Sequence, residues 1–244
     1  MSGNHVPLLI DLKGRRVVIF GGGDVAERKA RLFSQGDLVV VSREFSEGIL
    51  RMSSDGILKI MKADLMSEDG LKIAEMALEG AFIAIPATSD KRLNSELEEM
   101  ARGKGALVNS VDREGEVVVP SIVKKRSVVL AISTRIPALS RYIRMRLERE
   151  VELYALMAEL LSGIRNKLKE NVGPQSRRRD LLWSVLSDSS VWSCLENGDI
   201  AGAHEKAYMR VRENLTPDEQ DNLDAGDSQE GLDKRDRERM AWRR

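Results

Sequence analysis

Short apolar runs alternate with amphipathic stretches through the first half of the chain. The runs fall at residues 15–20, 38–42, 57–61, 81–85 and 106–109. Between them, 24–35, 67–78 and 89–103 carry apolar positions at helical spacing among good helix formers. Strand and helix in regular succession predict a parallel sheet covered on both faces, with ligands taken at the carboxyl ends of the strands. The expected class is α/β, with a Rossmann-like sheet domain over residues 1–113.

The pattern changes near residue 114. Glu116–Val123 and Ser127–Ser133 are β-branched runs joined by Lys124-Lys125-Arg126, which predicts a hairpin. Ile136-Pro137 then opens a helix to about Tyr154, with proline where a first turn tolerates it. A hairpin and one helix are too small to fold alone, so 114–150 is expected to be a small α+β dimerisation region. From 151 to 215 the pattern is helical, broken at Asn171–Pro174, Ser187–Ser190 and Asn197–Asp199. Residues 216–244 are acidic, then basic, with little apolar content, and are expected to form a disordered charged tail.

The most specific stretch is RRVVIFGGGDVAERKAR, residues 15–31. An apolar strand enters Gly21-Gly22-Gly23, and Ala26 stands three residues on at the start of a helix, giving the form G-x-G-x-x-A. Gly21 permits the turn, Gly23 lets the backbone approach a pyrophosphate, and Asp24 and Val25 open the helix whose amides favour an anion. The bland alternative is a structural turn that binds nothing.

Composition narrows the partners. Lys plus Arg and Asp plus Glu both number 39, so no global field attracts nucleic acid or an anionic membrane. The lone cysteine, Cys194, excludes an internal disulfide and a multi-cysteine zinc site. His5 and His204 match no metal-ligand spacing, and no metal site is expected. No apolar run reaches membrane-spanning length, and a cytoplasmic location is expected.

Ser42-Arg43-Glu44-Phe45 ends the second strand, where an acid bonds an adenosine ribose or an arginine accepts a 2′-phosphate. Arg43 leaves NAD against NADP open. Thr88 and Asp90 follow the fourth strand, as nicotinamide neighbours or as a helix cap. Asp112 follows the fifth, placed for a general base or for a plain loop. Arg113, Lys124, Lys125, Arg126, Arg135, Arg141, Arg144 and Arg146 either clamp an acidic substrate or solvate a helix face.

Together these segments resemble the precorrin-2 dehydrogenase family, which comprises the siroheme synthase N-terminal module and its stand-alone relatives. The matching elements are Pro7-Leu8, Gly21 through Ala30, Ala87-Thr88 with Asn94, Asn109-x-Val111-Asp112, Val119–Ile122, and Ala131–Thr134 before a helix. The likeness covers 5–150 well and continues more loosely to 215, around Trp183 and Gly198. The resemblance implies NAD-dependent oxidation of precorrin-2, a polycarboxylate tetrapyrrole, to sirohydrochlorin by a homodimer. It implies Asp112 as general base, the Gly21–Val25 loop on the pyrophosphate, Ser42, Glu44 and Phe45 near the adenosine, and Thr88 beside the nicotinamide. The candidate substrate contacts are Asn109, Arg113, Ser133, Thr134, Arg135 and Arg141. Some relatives also insert ferrous iron.

Two departures stand out. Thr134-Arg135-Ile136-Pro137-Ala138 replaces the usual Ser/Thr-Gly-Gly-x-Ser-Pro, losing both glycines and adding a charge. Arg43 replaces a residue that relatives more often leave uncharged. A reading of another class is an NAD(H)-sensing regulatory module that binds without turnover and does not depend on Asp112.

Overall fold

The computed structural model describes residues 5–113, 115–134 and 136–222. The chain forms two compact units that divide between Val119 and Pro120.

The first unit is a five-stranded parallel sheet of β1 (Arg16–Phe20), β2 (Asp37–Ser42), β3 (Leu58–Lys62), β4 (Ala81–Pro86) and β5 (Leu107–Val108), in the order β3-β2-β1-β4-β5. Helices α1 (Asp24–Leu32), α2 (Glu47–Ser54), α3 (Glu68–Leu78) and α4 (Lys91–Gly103) connect them. This is the expected α/β, Rossmann-like architecture. Successive strand residues take opposite faces, and both faces are covered. Val17, Ile19, Leu38, Val40, Ile83 and Ile85 pack with Ala26, Ala30, Ile49 and Met52. Their neighbours Val18, Phe20, Val39, Val41 and Ala84 pack with Ala74, Leu78, Leu93, Leu97 and Ala101. Doubly covered strands have no wet face, so they read as continuous apolar runs. Each fully buried Val, Ile or Phe contributes about 1.5–3 kcal/mol. The chain leaves central β1 towards β2 and later returns to its other side as β4, which opens a crevice at the carboxyl end of β1.

α2 is absent from the helices expected on periodicity. It buries only Ile49 and Met52, too few to establish a period. Its start is set by Ser46, whose Oγ caps the helix by accepting the Ile49 N–H at 3.3 Å. Residues 116–119, expected in the hairpin, lie in the first unit. The Val117 N–H donates to the Val108 carbonyl at 3.0 Å, and Val117 and Val119 pack on the core.

In the second unit β6 (Ser121–Lys125) and β7 (Val128–Ile132) pair antiparallel around a two-residue turn, Arg126-Ser127. The expected turn residues Lys124 and Lys125 belong to β6. α5 (Pro137–Asn171) then runs 35 residues, through the boundary expected at 150. Gly163 is its lone interior glycine, and one such residue costs only about 1 kcal/mol. Its stripe Met157, Leu160, Ile164 and Leu168 forms a core with α6 (Gln175–Leu186), α7 (Ser189–Glu196) and α8 (Ile200–Glu213). The expected breaks fall between these helices, and Asp188 and Asp199 cap the next two. Part of the expected disordered tail is ordered. Residues 217–222 are helical, and Glu219 pairs with Arg177 at 3.1 Å and accepts the Thr216 N–H at 2.9 Å. Residues 223–244 lie outside the described residues.

Two cations of the hairpin are matched within their own unit. Lys125 pairs with Glu148 and Glu152 at 3.6 and 3.7 Å, and Arg126 pairs with Glu152 and Glu159, all on α5. Arg126 also has φ +50°, a left-handed conformation that costs a non-glycine residue about 1–2 kcal/mol. Exposed ion pairs return about 0–1 kcal/mol each. Arg126→Gly is therefore predicted to leave stability in urea within about 1 kcal/mol of wild type. A loss above about 2 kcal/mol would show that the ion pairs dominate.

Candidate functional site

β1 delivers the chain to Gly21-Gly22-Gly23. Gly21 has φ +111°, and a Cβ there would lie 2.5 Å from the Ala87 carbonyl oxygen. A Cβ on Gly22 would lie 1.8 Å from the Glu44 carbonyl oxygen. These glycines let the ends of β1, β2 and β4 close on one another. Gly23 is different. Its φ is −89°, and a Cβ would meet nothing within 4 Å. Packing does not demand glycine there, whereas a ligand lying against the backbone would.

Ser46, Ser67 and Asp90 cap α2, α3 and α4 with their side chains, but α1 starts at Gly23 without such a cap. Its first amides are left for an anion. The nearby acid Glu27 is occupied. It accepts from Ser46 at 2.6 Å and Arg31 at 2.7 Å, and those hydrogen bonds hold it below the usual carboxylate range.

A cleft of about 750 Å³ opens at this edge. It is lined by Gly21, Gly22, Gly23, Asp24 and Val25, by Ser42, Glu44 and Phe45, and by Thr88. All the candidate cofactor residues thus share one cleft, whose volume and glycine floor suit a dinucleotide. Arg43 and Glu44 stand exposed at its rim. Ala63-Asp64-Leu65-Met66 also line it. They were missed because only their place after the third strand, not their residue types, marks them.

Asp112 lies in the exposed turn after β5. Asn94, buried in α4, donates from Nδ2 to Asp112 Oδ2 at 3.0 Å. Asn94 Oδ1 accepts the Thr88 N–H at 3.0 Å, so the carboxylate is tied to the cleft wall through one amide. Other side chains fix the turn. Asn109 is 3% exposed and its Nδ2 donates to the Val117 carbonyl at 2.7 Å, while its Oδ1 accepts from Lys29 at 2.7 Å. Burial pulls Lys29 below the usual lysine pKa, with Arg28 adding to the effect. Arg113 grips Glu98 Oε2 through Nε at 2.9 Å and Nη2 at 2.6 Å. Burial raises the Glu98 pKa, but hydrogen bonds from Ser110 and Arg113 and the charges of Arg113 and Arg102 outweigh it, leaving a net lowering.

Comparison with known proteins decides the family. A precorrin-2 dehydrogenase of Methanosarcina barkeri is 39% identical over 214 residues, covering 86% of this chain and 93% of that protein. The chain belongs to the precorrin-2 dehydrogenase family. Residues 8–121 also match the family described as "Putative NAD(P)-binding". The siroheme synthase of Pseudoalteromonas translucida is 28% identical over 221 residues, and the chain spans 45% of its length. A solved structure of SirC, a precorrin-2 dehydrogenase, shares the fold with a TM-score of 0.67 at 22% identity, over 86% of this chain and all of that one.

The six candidate substrate residues of this family member are divided between the units. Asn109 and Arg113 belong to the first and are already engaged as described. In the second, Thr134 is tied to the start of α5, its N–H donating to Ser140 Oγ at 3.1 Å and its hydroxyl to the Ile136 carbonyl at 2.6 Å. Ser133 and Arg141 are exposed. Arg135 lies outside the described residues. Among the described residues no group of three His, Cys, Asp or Glu side chains is arranged to hold a metal ion.

Glu98→Gln removes the charge from the Arg113 clamp. Glu98 is 2% exposed but Arg113 is 53% exposed, so the predicted loss is about 1–2 kcal/mol. A lowered carboxylate pKa stabilises the fold above the ordinary carboxylate range, and that gain disappears as pH falls through the lowered value. The urea midpoints of wild type and variant should therefore differ at neutral pH and converge in acid. A constant difference across that range would contradict the clamp.

Proposed function

We propose that this chain oxidises precorrin-2 to sirohydrochlorin, with NAD as the hydride acceptor. The observation that carries the reading is an exposed carboxylate, Asp112, tied through Asn94 to Thr88 at the wall of a glycine-loop cleft. The oxidation removes a hydride and a proton from the macrocycle. The nicotinamide supplies the hydride acceptor when bound. The α1 amides and Gly23 hold the pyrophosphate, Glu44 accepts from ribose hydroxyls, and Thr88 borders the nicotinamide. Asp112 takes the proton as a carboxylate and releases it to solvent, which its exposure allows. Ser133, Thr134, Arg135 and Arg141 take the substrate's carboxylates, arginine doing so bidentately.

Insertion of ferrous iron into the product is a second reading of the same residue. Asp112 forms no ion pair among the described residues, so it is available to take pyrrole protons. The proposal includes a homodimer formed through 114–150. The β6–β7 sheet has only two strands, leaving outer edges that a second copy can cover. It also includes a cytoplasmic location. In support, no described helix is long and apolar enough to cross a membrane.

Asp112→Asn preserves shape and removes the base. Its kcat in anaerobic assays with precorrin-2 and NAD is predicted to fall about 10²–10⁴-fold, with NAD affinity within about threefold of wild type. Undiminished turnover would refute the base. Gly23→Asp should fold normally, because its Cβ points into open space. Its NAD affinity, measured by calorimetry, should fall about 10²-fold or more through bulk and like charge. Normal NAD binding would contradict the loop assignment.

A further inference from the structure

Asn94 occupies the first turn of α4 and is 2% exposed. Its neighbours on the buried face are Leu93 and Leu97, and leucine would serve packing there. Capping does not explain the amide either. Asp90 already caps α4, accepting the Arg92 and Leu93 N–H groups at 2.8 and 3.1 Å. The amide's partners lie elsewhere. Oδ1 accepts the Thr88 N–H at 3.0 Å and the Thr88 hydroxyl at 2.7 Å. Nδ2 donates to the Thr88 carbonyl at 3.1 Å and to Asp112 Oδ2 at 3.0 Å. An asparagine offers two donors and two acceptor lone pairs, and all are used. Reversal would aim the amide oxygen at the Asp112 carboxylate and the NH₂ at the Thr88 N–H. Both contacts are repulsive, so the amide has one orientation.

We infer that Asn94 is a positioning residue for the oxidation, locking Thr88 at the cleft and Asp112 into one hydrogen-bonded frame. Asn94 engages Oδ2 of Asp112 and leaves Oδ1 to take the proton. Because the same amide grips both the N–H and the carbonyl of Thr88, the carboxylate keeps its place relative to whatever lies against Thr88. Neighbouring charges are already committed. Asp90 caps α4, Glu98 holds Arg113 and Arg102, and Lys29 donates to Asn109. None competes for Asp112. The inference rests on the reading of Asp112 as the base.

Asn94→Asp tests it, since the variant is isosteric and keeps an acceptor for Thr88 but turns an oxygen towards Asp112. Its kcat is expected to fall about 10–10²-fold while KM for NAD stays within about threefold. The defect should shrink as pH is lowered, because two facing carboxyl groups then share a proton and the donation to Asp112 returns. A purely structural defect has no such pH signature. Wild-type kcat, or a loss of kcat and NAD binding in equal proportion at every pH, would overturn the inference. If the variant does not fold, Asn94→Ser carries the same kcat-against-KM test without added charge. Full activity of Asp112→Asn would instead sink the base reading, so the two failures are distinguishable.

Discussion

Gly22 passes so close to the Glu44 carbonyl that a Cβ would sit 1.8 Å from its oxygen. The cleft depends on that approach. The Gly21 N–H donates to the Val41 carbonyl at 2.9 Å, and the Ser46 N–H donates to the Gly22 carbonyl at 2.8 Å. Any side chain at Gly22 pushes β2's exit away from the turn and spoils the floor on which a dinucleotide would lie. The doubly covered sheet matters to function because it gives this turn rigid neighbours, with Ile19, Phe20, Val40 and Val41 wholly buried beneath it.

A second frame holds the Asp112 turn. Its three supports come from two helices: Lys29 of α1 through Asn109, Glu98 of α4 through Arg113, and Asn94 of α4 at the carboxylate itself. Several side chains that resemble substrate ligands in sequence are already engaged within their own units. Arg113 and Asn109 shape the turn, and Lys125 and Arg126 answer glutamates on α5. Cationic side chains therefore divide into two kinds, and geometry separates them. A cation already gripping a buried carboxylate, as Arg113 grips Glu98, is not free for substrate. Arg141, exposed on α5, has no such commitment among the described residues.

Much of this was legible in the chain. Strands covered on both faces leave unbroken apolar runs, and a glycine turn before a helix is local, so β1, α1 and the glycine floor of the cleft could be read directly. Asp112 was legible by its place after a strand, and its neighbours by family resemblance. Tertiary partnerships were not. Glu98 and Arg102 stand one helical turn apart, a spacing that solvated pairs share, yet Glu98 is buried beneath the Asp112 turn. Val117 and Val119 carry strand character and do not reveal that Val117 bonds to Val108 and that both pack on the first unit's core rather than in the hairpin. α2 is too short to show a period. Residues 217–222 are polar, and what holds them is contact with the rest of the unit: Glu219 pairs with Arg177, and Gln220 donates to the Arg212 carbonyl.

If the glycine-loop cleft and Asp112 together perform a two-electron oxidation, reduced cofactor and oxidised macrocycle appear together. The most direct test mixes wild-type protein with precorrin-2 and NAD without oxygen and follows NADH and sirohydrochlorin absorbance together. The account predicts equimolar appearance of both, at a rate proportional to protein. Binding of NAD with no product above the protein-free control would contradict it and favour a sensing module.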